Sequence, residues 1–398
     1  MMSEPTFSKM RSLDAADMRD KRALVRVDFN VPLHDGVVTD DSRIRAALPT
    51  LAALREGGAS VILATHLGRP KGQREPRFSV GPVARRLGEL LGVEVRTVSD
   101  IAGPEAQQAA AELHPGDVLL LENTRFEPGE EANDPELAAA MARLGDLYVN
   151  DAFGAAHRAH ASTVGVAKHL PSYAGLLLQR EVTVLSRLLV EPSRPFVAIL
   201  GGAKVSDKLA VVSQLLDRVD ALLLGGGMAN TLMLAQNFEV GASLAEPDRV
   251  PDARELIALA ALRGVRLLLP IDAVVAPSLS EASRIVPVAA IAANQAILDI
   301  GPETARTYCD EIAGAKTVFW NGPMGVFERE PFAAGTLRIA RCVAEAEAFT
   351  VVGGGDSIAA VSAAGVADRI DHISTGGGAS LEFLEGRALP GIAALLDR

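Results

Sequence analysis

Short apolar segments alternate with amphipathic, alanine-rich segments along almost the whole chain. In the first half the apolar segments are "ALVRVDF", "SVILATH", "VEVRTV", "DVLLLEN" and "DLYVNDA". In the second half they are "FVAILGG", "ALLLGGG", "VRLLLPID", "TVFWNGP", "FTVVGGG" and "DHISTGGG". Segments with helical periodicity, such as "DPELAAAMARLG", lie between them. Because this alternation is typical of βαβ units, it predicts an α/β fold with two Rossmann-like lobes, each a parallel sheet flanked by helices.

The alternation is interrupted once, near the middle of the chain. The segment "PSYAGLLLQREVTVLSRLLVEPSRP" has helical periodicity and ends at Pro192 and Pro195, which break regular structure. We interpret residues 173–192 as a connecting helix and hinge, with a cleft between the two lobes that it joins. A chain of 398 residues also exceeds the size at which a single core stops growing. We therefore predict one lobe over residues 1–172 and a second over 193–382.

The composition argues against several classes of partner. A net charge of -11 weighs against general affinity for nucleic acids or anionic membranes, although a cleft can still concentrate positive potential for a small anion. No uncharged apolar run reaches the roughly 18 residues that span a bilayer, and the first residues lack the apolar core of a signal peptide. Cys309 and Cys342 give neither a disulfide framework nor a metal-ligand spacing. We expect a soluble protein of the reducing cytoplasm.

In the first half, cationic and polar side chains follow the apolar segments. Ligands of open α/β sheets bind outside the carboxyl ends of the strands, so these ends are the candidate sites. They carry Asp28, Asn30, Arg43, Arg45, His66, Arg69, Arg125, His157, Arg158 and His160. Guanidinium groups match phosphate and carboxylate oxygens with two parallel hydrogen bonds and stay charged at cellular pH. Any single arginine could be a solvated loop residue paired with an acid; together they predict a small ligand with several anionic groups.

In the second half, the strand ends are mostly glycine. The clusters are Gly201–Gly202, Gly225–Gly227, Gly353–Gly355 and Gly376–Gly378, with Gly322 and Gly325 in "WNGPMG". Glycine permits close approach of a ligand to the backbone, and helix N-termini offer unpaired N–H groups to anions. A single cluster could be only a structural βα turn. Four clusters in one half predict a nucleotide or polyphosphate site.

The segment "ILGGAKVSDKLA" places two lysines where a helix is expected to begin. Lys204 and Lys208 would lie one turn apart at the positive end of the helix dipole, which disfavours cations. A bound polyphosphate would make both positions favourable through charge-assisted hydrogen bonds. The alternative is that both lysines pair with Asp207 or extend into water.

Common nucleotide and nucleophile motifs are absent. There is no Gly-Lys dipeptide and hence no P-loop, no complete GxGxxG, no GxSxG and no CxxC. Asp356, directly after a glycine triplet, is a candidate Mg²⁺ ligand, although "GGGDS" could equally be a helix N-cap. Glu130 and Glu131 are interpreted as loop surface. The remaining chemistry is positioning and charge neutralisation, which is what phosphoryl transfer requires.

Nine blocks of sequence are found over residues 25–386: "RVDFNVP", "THLGRPKG", "LENTRFEPGEE", "YVNDAFGAAHRAHAST", "LGGAKVSDK", "LLLGGGMANT", "VFWNGPMGVFE", "VVGGGDS" and "STGGGASLEFLEG". In residues and in order, they resemble the blocks of the phosphoglycerate kinase family. The resemblance implies reversible phosphoryl transfer between 1,3-bisphosphoglycerate and Mg-ADP, with the triose bound by the first lobe and the nucleotide by the second. It also implies that the lobes close about a hinge and that residues 383–398, including "PGIAALLDR", complete the first lobe.

The resemblance assigns roles to particular residues. Arg43, Lys204, Gly377 and Gly378 would act at the transferred group. The triose would bind to Asp28, Phe29, Asn30, Arg43, His66, Leu67, Gly68, Arg69, Arg125, His157 and Arg158. The nucleotide would bind to Gly202, Ala203, Lys204, Lys208, Gly226, Gly301, Glu328, Gly354, Gly355, Asp356 and Ser357. Asp356 would serve Mg²⁺, and Glu328 the ribose. A monomer is expected, with no nucleic-acid or membrane partner.

Two other functions stay open from the residues alone. One is a different kinase acting on a carboxylate or an acyl phosphate, which substrate competition would separate. The other is a nucleotide-binding scaffold without turnover. The presence of both Arg43 and Lys204 argues against a scaffold.

Overall fold

The computed structural model describes residues 10–396. The chain divides into two compact units, Met1–Thr183 with Arg387–Arg398, and Val184–Gly386. The boundary falls within one helix, Leu176–Val190, which lies inside the segment interpreted as the connector. Residues 397 and 398, the end of "PGIAALLDR", lie outside the described residues.

The first unit is built on a six-stranded parallel sheet with the spatial order β5–β6–β4–β1–β7–β8. The strands of this unit are β1 Arg22–Val27, β2 Leu33–His34, β3 Val37–Val38, β4 Ser60–Ala64, β5 Val95–Thr97, β6 Val118–Leu120, β7 Leu147–Asp151 and β8 Ser172–Ala174. Its helices are α1 Ser42–Glu56, α2 Gly81–Leu91, α3 Pro104–Ala111, α4 Pro128–Glu131 and α5 Pro135–Ala142, followed by α6 Leu176–Val190 at the boundary. Strands β4 and β7 are buried along their whole length, as expected of strands covered by helices on both faces.

The second unit contains another six-stranded parallel sheet, in the order β11–β10–β9–β15–β16–β17. Its strands are β9 Phe196–Leu200, β10 Ala221–Leu224, β11 Arg266–Leu268, β12 Asp272–Ala276, β13 Arg284–Pro287, β14 Ala296–Ile300, β15 Thr317–Asn321, β16 Phe349–Gly353 and β17 His372–Ile373. Its helices are α7 Leu209–Leu215, α8 Gly226–Ala235, α9 Val250–Leu262, α10 Pro302–Ala313, α11 Ala334–Glu345, α12 Gly355–Ala363 and α13 Gly378–Leu384. Strands β12 to β14 form a separate antiparallel sheet in the order β13–β12–β14.

A last helix, α14 (Pro390–Ala393), packs on the first unit. The backbone N–H of Gly391 donates to the carbonyl of Ala156 at 2.8 Å, and Asn150 Nδ2 lies 3.4 Å from the Gly391 carbonyl. A Cβ at Gly391 would lie 2.9 Å from the Ala156 Cα, so only glycine fits this close approach. The segment after α13 therefore returns to the first unit.

The α/β class and the two parallel sheets are confirmed, and each apolar segment named above contains a strand. Three features were not predicted: β8, the β2–β3 hairpin and the antiparallel sheet. The segment "VRLLLPID" contains β11 of the parallel sheet and the first residue of β12 of the antiparallel sheet, and Pro270 lies between the two strands. No helix among the described residues is long and apolar enough to cross a membrane.

The expectation that the cysteines form no disulfide is wrong. Cys309 on α10 and Cys342 on α11 are joined by a disulfide, with a Cα–Cα distance of 5.5 Å. The two residues are 33 positions apart, and their proximity comes from the packing of α10 against α11 in the core of the second unit. Sequence spacing alone carries no signal for that packing.

Candidate active site

In the first unit, charged and polar side chains lie together where β1 and β4 end. The two strands are neighbours and parallel, so their carboxyl ends meet at one edge of the sheet. Asp28 follows β1, and its Oδ2 accepts a hydrogen bond of 3.0 Å from Arg43 Nη1, near the start of α1. Asn30 Oδ1 accepts the backbone N–H of Gly68 at 2.9 Å. Acid and amide side chains thus fix one arginine and one loop beside each other.

Arg125 is the most enclosed of the expected ligand-binding arginines, with 6% of its surface exposed. Its Nη1 donates to the Gly68 carbonyl at 2.8 Å, and its Nε lies 3.0 Å from Glu131 Oε1. Burial, with repulsion from Arg158 and Arg26, lowers the pKa of Arg125, while the carboxylates of Glu131 and Glu130 oppose that shift. An arginine side chain stays protonated in proteins despite such a shift, so the site keeps a concentrated positive charge.

The backbone around Arg125 is organised by Asn123, whose side chain is completely buried. Its Nδ2 donates to the carbonyls of Leu67 at 2.7 Å and Phe78 at 2.9 Å. Its Oδ1 accepts the N–H groups of Leu67 and Arg125. Asn123 therefore links the loop after β4 to the loop after β6, a role that the sequence analysis did not assign.

His66 is neutral, and its tautomer is fixed by its neighbours. Arg26 Nη2 lies 3.2 Å from His66 Nδ1, and because arginine only donates, Nδ1 must accept. The proton is then on Nε2. Burial and the charges of Arg26, Arg125 and Arg43 lower the pKa of His66 well below its ordinary value. His66 can thus donate to an anion without carrying a charge.

A buried network of hydrogen bonds holds Arg26 in place. Arg26 is 1% exposed, and its Nε donates to Ser162 Oγ at 2.7 Å. Ser162 in turn donates through Oγ to Glu130 Oε1 at 2.5 Å and through N to Glu130 Oε2 at 2.9 Å. Glu130 is fully buried, so its interpretation as loop surface is wrong, whereas Glu131 is half exposed. The sequence did contain a signal for this network, because Arg26 is a charged residue inside the apolar segment "ALVRVDF".

The structure brings most of the expected triose ligands together, though not all through their side chains. Phe29 and Leu67 have buried side chains, 0% and 3% exposed, so they offer only backbone. Arg69 is exposed. Arg158 Nε donates to His157 Nε2 at 3.0 Å in the turn after β7. Burial and nearby arginines lower the pKa of His160 to about 4, so this neighbour is also neutral.

In the second unit, the ends of β9 and β15 mark the point where the strand order reverses. The strands run β9, β10, β11 to one side and β15, β16, β17 to the other, the order at which doubly wound folds bind ligands. Lys208 lies at this point. Its Nζ donates to the carbonyls of Gly201 at 2.6 Å and Asn321 at 2.9 Å.

The two lysines are placed differently from the expectation. Helix α7 begins at Leu209, with Lys208 as its N-cap, so Lys204 lies in the preceding loop and not in the helix. Lys204 is exposed, whereas Lys208 is 9% exposed. Burial lowers the pKa of Lys208 to about 8, against the opposing charges of Asp356 and Asp207. Lys208 thus contacts backbone carbonyls, and neither a pair with Asp207 nor extension into water describes it.

A pocket of about 290 Å³ opens beside the glycine loops. Its wall is largely apolar, with Glu328 and Asp356 among the polar groups. The lining residues are Gly202, Ala203, Gly226, Gly227, Asn230, Leu244, Ala296, Ile297, Leu298, Pro323, Met324, Gly325, Val326, Glu328 and Asp356. Leu244 is 58% exposed, so the pocket leaves an apolar wall open to solvent. A pocket of this kind suits a flat, partly apolar ring with a polar substituent.

The glycines of this unit fall into two groups. Gly226 has φ 64° and a Cβ there would lie 2.6 Å from the Gly202 carbonyl oxygen, so loop packing requires it. Gly301 caps α10, with the Asp272 carboxyl group filling the space of a Cβ. A Cβ at Gly355 or Gly378 would meet no atom within 4 Å. The last two glycines leave helix N-termini open to a ligand without being needed for packing.

The start of α12 supplies the candidate metal ligand. Gly354 is the N-cap with φ 90°, so Asp356 lies in the first turn and is not the cap. Ser357 is buried and accepts the N–H of Gly322 at 2.5 Å. Among the described residues, no group of three or more His, Cys, Asp or Glu side chains could hold a metal. One exposed carboxylate fits Mg²⁺, which takes few protein ligands when it is bound with a nucleotide.

The fold and the two candidate sites fit an α/β kinase that has no P-loop. The family model described as "Phosphoglycerate kinase" matches residues 13–387. The chain belongs to the phosphoglycerate kinase family. It is similar to the phosphoglycerate kinases of Chloroflexus aurantiacus, at 59% identity over 97% of this chain and 99% of that protein, and of Moorella thermoacetica, at 59% over 97% and 99%. The solved phosphoglycerate kinase of Coxiella burnetii matches with a TM-score of 0.88 at 43% identity over 97% of this chain and 98% of that chain.

Proposed function

We propose that the two sites carry out one reaction, reversible phosphoryl transfer between 1,3-bisphosphoglycerate and Mg-ADP that gives 3-phosphoglycerate and Mg-ATP. Membership of the family makes the chain a glycolytic kinase, a phosphotransferase whose acceptor is a carboxyl group. The observation that best supports the assignment is that Arg43, His66 and Arg125 lie together at the edge of the sheet where the strands end. A ligand carrying both a phosphate and a carboxylate suits such a set of donors.

The triose would be held by the first unit. Arg125, Arg69 and Arg158 would bind its phosphate, with His157 beside them, and Asp28 and Asn30 would bind the hydroxyl and carboxylate region. His66 would donate from Nε2, since Arg26 occupies its Nδ1. Phe29, Leu67 and Gly68 would contribute backbone only. A neutral histidine among arginines adds a directed donor without further repulsion.

The nucleotide would be held by the second unit. The apolar wall around Leu244 and Met324 would receive the base, and Glu328 would bind the ribose. Lys208 and the open N-termini at Gly355 and Gly378 would meet the phosphates. Gly202, Ala203, Gly226 and Gly354 would shape the loops beside them. Gly301 and Ser357 would act indirectly, since their space and hydrogen bonds are used by the protein itself.

Mg²⁺ would be held by Asp356 together with nucleotide phosphate oxygens. When bound, it neutralises phosphate charge and orients the phosphate chain. The exposed carboxylate of Asp356 on the pocket wall supports this assignment.

The chain's own residues would lower the barrier by placing and neutralising charge. An acyl phosphate is already activated, so no covalent enzyme intermediate or strong base is required. Arg43 and Lys204 would approach the transferred group from the triose and nucleotide sides and offset charge on its equatorial oxygens, with Gly377 and Gly378 offering N–H donors. The triose carboxylate attacks phosphorus in one direction, and the ADP β-phosphate oxygen attacks in the other.

Donor and acceptor sites on separate units imply that the catalytic state brings them together. We propose lobes corresponding to residues 1–172 with 383–398 and to 193–382, with closure about a hinge in 173–192. Closure would also exclude water, which would otherwise hydrolyse the acyl phosphate.

A monomer in the cytoplasm is part of the proposal, supported by the glycolytic role of the family. The Cys309–Cys342 disulfide weighs against a strongly reducing location, since such bonds are uncommon there. Trapping of free thiols in intact cells, followed by mass spectrometry of the tryptic peptides, would test the location and the bond together.

The direct test is a coupled assay with purified protein, 3-phosphoglycerate and MgATP. We expect turnover that requires all three components and a divalent metal. Acetate and carbamate serve as competing acceptors. Turnover of either in preference to 3-phosphoglycerate would favour another carboxylate kinase, and tight nucleotide binding without product would favour a scaffold.

A further inference from the structure

Glu246 fastens the loop that carries Lys204. We define the lysine loop as residues 203–207, between β9 and the N-cap of α7. Glu246 Oε2 accepts the Ser206 N–H at 2.9 Å, and Oε1 accepts the Ser206 hydroxyl at 2.6 Å. The carboxylate thus binds Ser206, two residues after Lys204, through two hydrogen bonds.

Glu246 is itself fixed to the frame of the nucleotide pocket. Its backbone N–H donates to Thr231 Oγ1 at 3.0 Å, and Thr231 is a fully buried residue of α8. Asn230, next to it on α8, donates through Nδ2 to the Leu244 carbonyl at 2.9 Å. Asn230 and Leu244 both line the pocket. Glu246 therefore connects the lysine loop to α8, which supplies part of the pocket wall.

The lysine loop has further contacts at its two ends, and the side chain of Val205 within it is buried. Before it, the Gly202 N–H donates to the Pro323 carbonyl at 3.1 Å, and the Gly202 carbonyl accepts from Met228 at 3.2 Å. After it, Lys208 is fixed through its ammonium group. Lys204 lies between these ends, exposed and outside any helix or strand. The two hydrogen bonds to Glu246 come from Ser206, two residues after Lys204.

Charge adds to this geometry. Burial opposes ionisation of Glu246, but hydrogen bonds from Ser206 and Val205, and the charge of Lys204, outweigh it and lower the pKa of the carboxyl group. Glu246 is therefore ionised at neutral pH and is electrostatically coupled to Lys204.

We propose that Glu246 is a positioning residue that holds Lys204 where it meets the transferred phosphoryl group. The inference rests on the proposed function, because it assigns Lys204 that role. Glu246 contacts neither substrate in this scheme and acts through the loop. Loss of its charge would leave the pocket intact and let Lys204 sample positions away from the reacting oxygens, and small displacements of catalytic groups are costly in rate.

The test is Glu246→Gln, which preserves side-chain shape and removes the charge. We expect kcat to fall about tenfold, with the KM for 3-phosphoglycerate unchanged within about twofold. The matched control is Glu105→Gln in the first unit, because Glu105 accepts the Ser99 N–H at 3.0 Å and the Ser99 hydroxyl in the same arrangement. We expect kcat of that control to stay within about twofold of the unchanged protein.

Two further variants keep the test decisive. Ser206→Ala removes only the hydroxyl bond and should lower kcat two- to threefold, whereas Ser99→Ala should not. This pair decides the question if Glu246→Gln fails to fold. In a Lys204→Ala background, Glu246→Gln should cause no further loss of kcat, because a positioning residue has no effect once the group it positions is gone.

Equal kcat for Glu246→Gln and Glu105→Gln, or full additivity of Glu246→Gln with Lys204→Ala, would overturn the inference. Absence of turnover in the unchanged protein would instead contradict the proposed function. The two failures are therefore distinguishable in one set of assays.

Discussion

The side chain of Lys208 is almost completely buried. Two carbonyl oxygens, of Gly201 and Asn321, accept its hydrogen bonds, and no full negative charge lies among these direct partners. Burial therefore lowers its pKa to about 8. A nucleotide phosphate would bring a negative charge next to the ammonium group. Nucleotide binding and protonation of Lys208 are therefore linked.

This linkage predicts a pH dependence of nucleotide use. As pH rises above about 8, Lys208 loses its proton in the free enzyme, and kcat/KM for MgATP should fall by up to tenfold per pH unit. The measurement is kcat/KM for MgATP at saturating 3-phosphoglycerate between about pH 7 and 9.5. The KM for 3-phosphoglycerate serves as the control and should stay flat. A flat MgATP profile would contradict the role of Lys208.

At the residue scale, the sequence predicted the candidate ligand-binding side chains better than the buried charges that support them. Arg43, Arg125 and His66 could be found because polar groups after apolar segments lie at strand ends. Arg26 and Glu130 could not, because Ser162 joins them, and Ser162 lies 136 positions after Arg26 and 32 after Glu130. The position of Lys204 outside α7 was also missed, since the loop is fixed by Glu246 from a distant segment.

At the scale of elements, the start of α6 depends on a buried acid. Asp151, at the end of β7, accepts the N–H groups of Leu177 and Leu178 at 3.0 and 3.3 Å. A Cβ at Gly175 would lie 2.1 Å from Asp151 Oδ1, so glycine is required where the chain passes. Burial raises the pKa of Asp151 to about 7, although hydrogen bonds from Thr50 and the backbone oppose the rise.

Asp151 therefore makes stability depend on pH. Its folded-state pKa is raised above the unfolded value, so its contribution is fully present below about pH 4 and is lost as pH rises through about 7. Compared with Asp151→Asn, the unchanged protein should lose roughly 2–3 kcal/mol of unfolding free energy between pH 5 and 8. Urea unfolding at the two pH values measures this difference. An equal difference between the proteins at both values would contradict the assignment.

The disulfide joins α10 and α11 in the second unit. A bond that closes a loop of 33 residues stabilises by about 3–4 kcal/mol if it acts mainly on the unfolded chain. Cys342→Ser should lower the melting midpoint by roughly 5–10 °C. Reductant should bring the unchanged protein to the same midpoint and leave the variant unaffected. A midpoint that does not respond to reductant, with two titratable thiols, would show that the bond does not form.

The sequence predicted the buried central strands of both parallel sheets and also the short edge strands β5, β11 and β17. Strands covered on both faces are continuous apolar runs, so their pattern is unambiguous. Strand β13, "RIVP", is largely exposed and contains a proline, and the short strand β8 lies in the segment that was interpreted as a helix. Such short or exposed strands form because neighbours pair with them, and that information lies elsewhere in the chain.

At the scale of the whole molecule, a local concentration of positive charge contrasts with the negative net charge. The chain carries a net charge of -11, yet Arg26, Arg43, Arg125 and Arg158 concentrate positive charge in one region of the first unit. Such local potential attracts a multiply charged anion while the rest of the surface stays acidic. The second unit offers lysine and backbone N–H groups to a second anion. The proposed reaction needs both sites in one catalytic event.

The most direct test of that claim is the kinetic effect of Arg43→Ala in the assay with 3-phosphoglycerate and MgATP. Arg43 is fixed by Asp28 at the triose site, and the proposal places its charge on the transferred group. We predict that kcat falls by about two to three orders of magnitude while the KM for 3-phosphoglycerate rises only a few-fold. An unchanged kcat, or a loss confined to KM, would contradict the account.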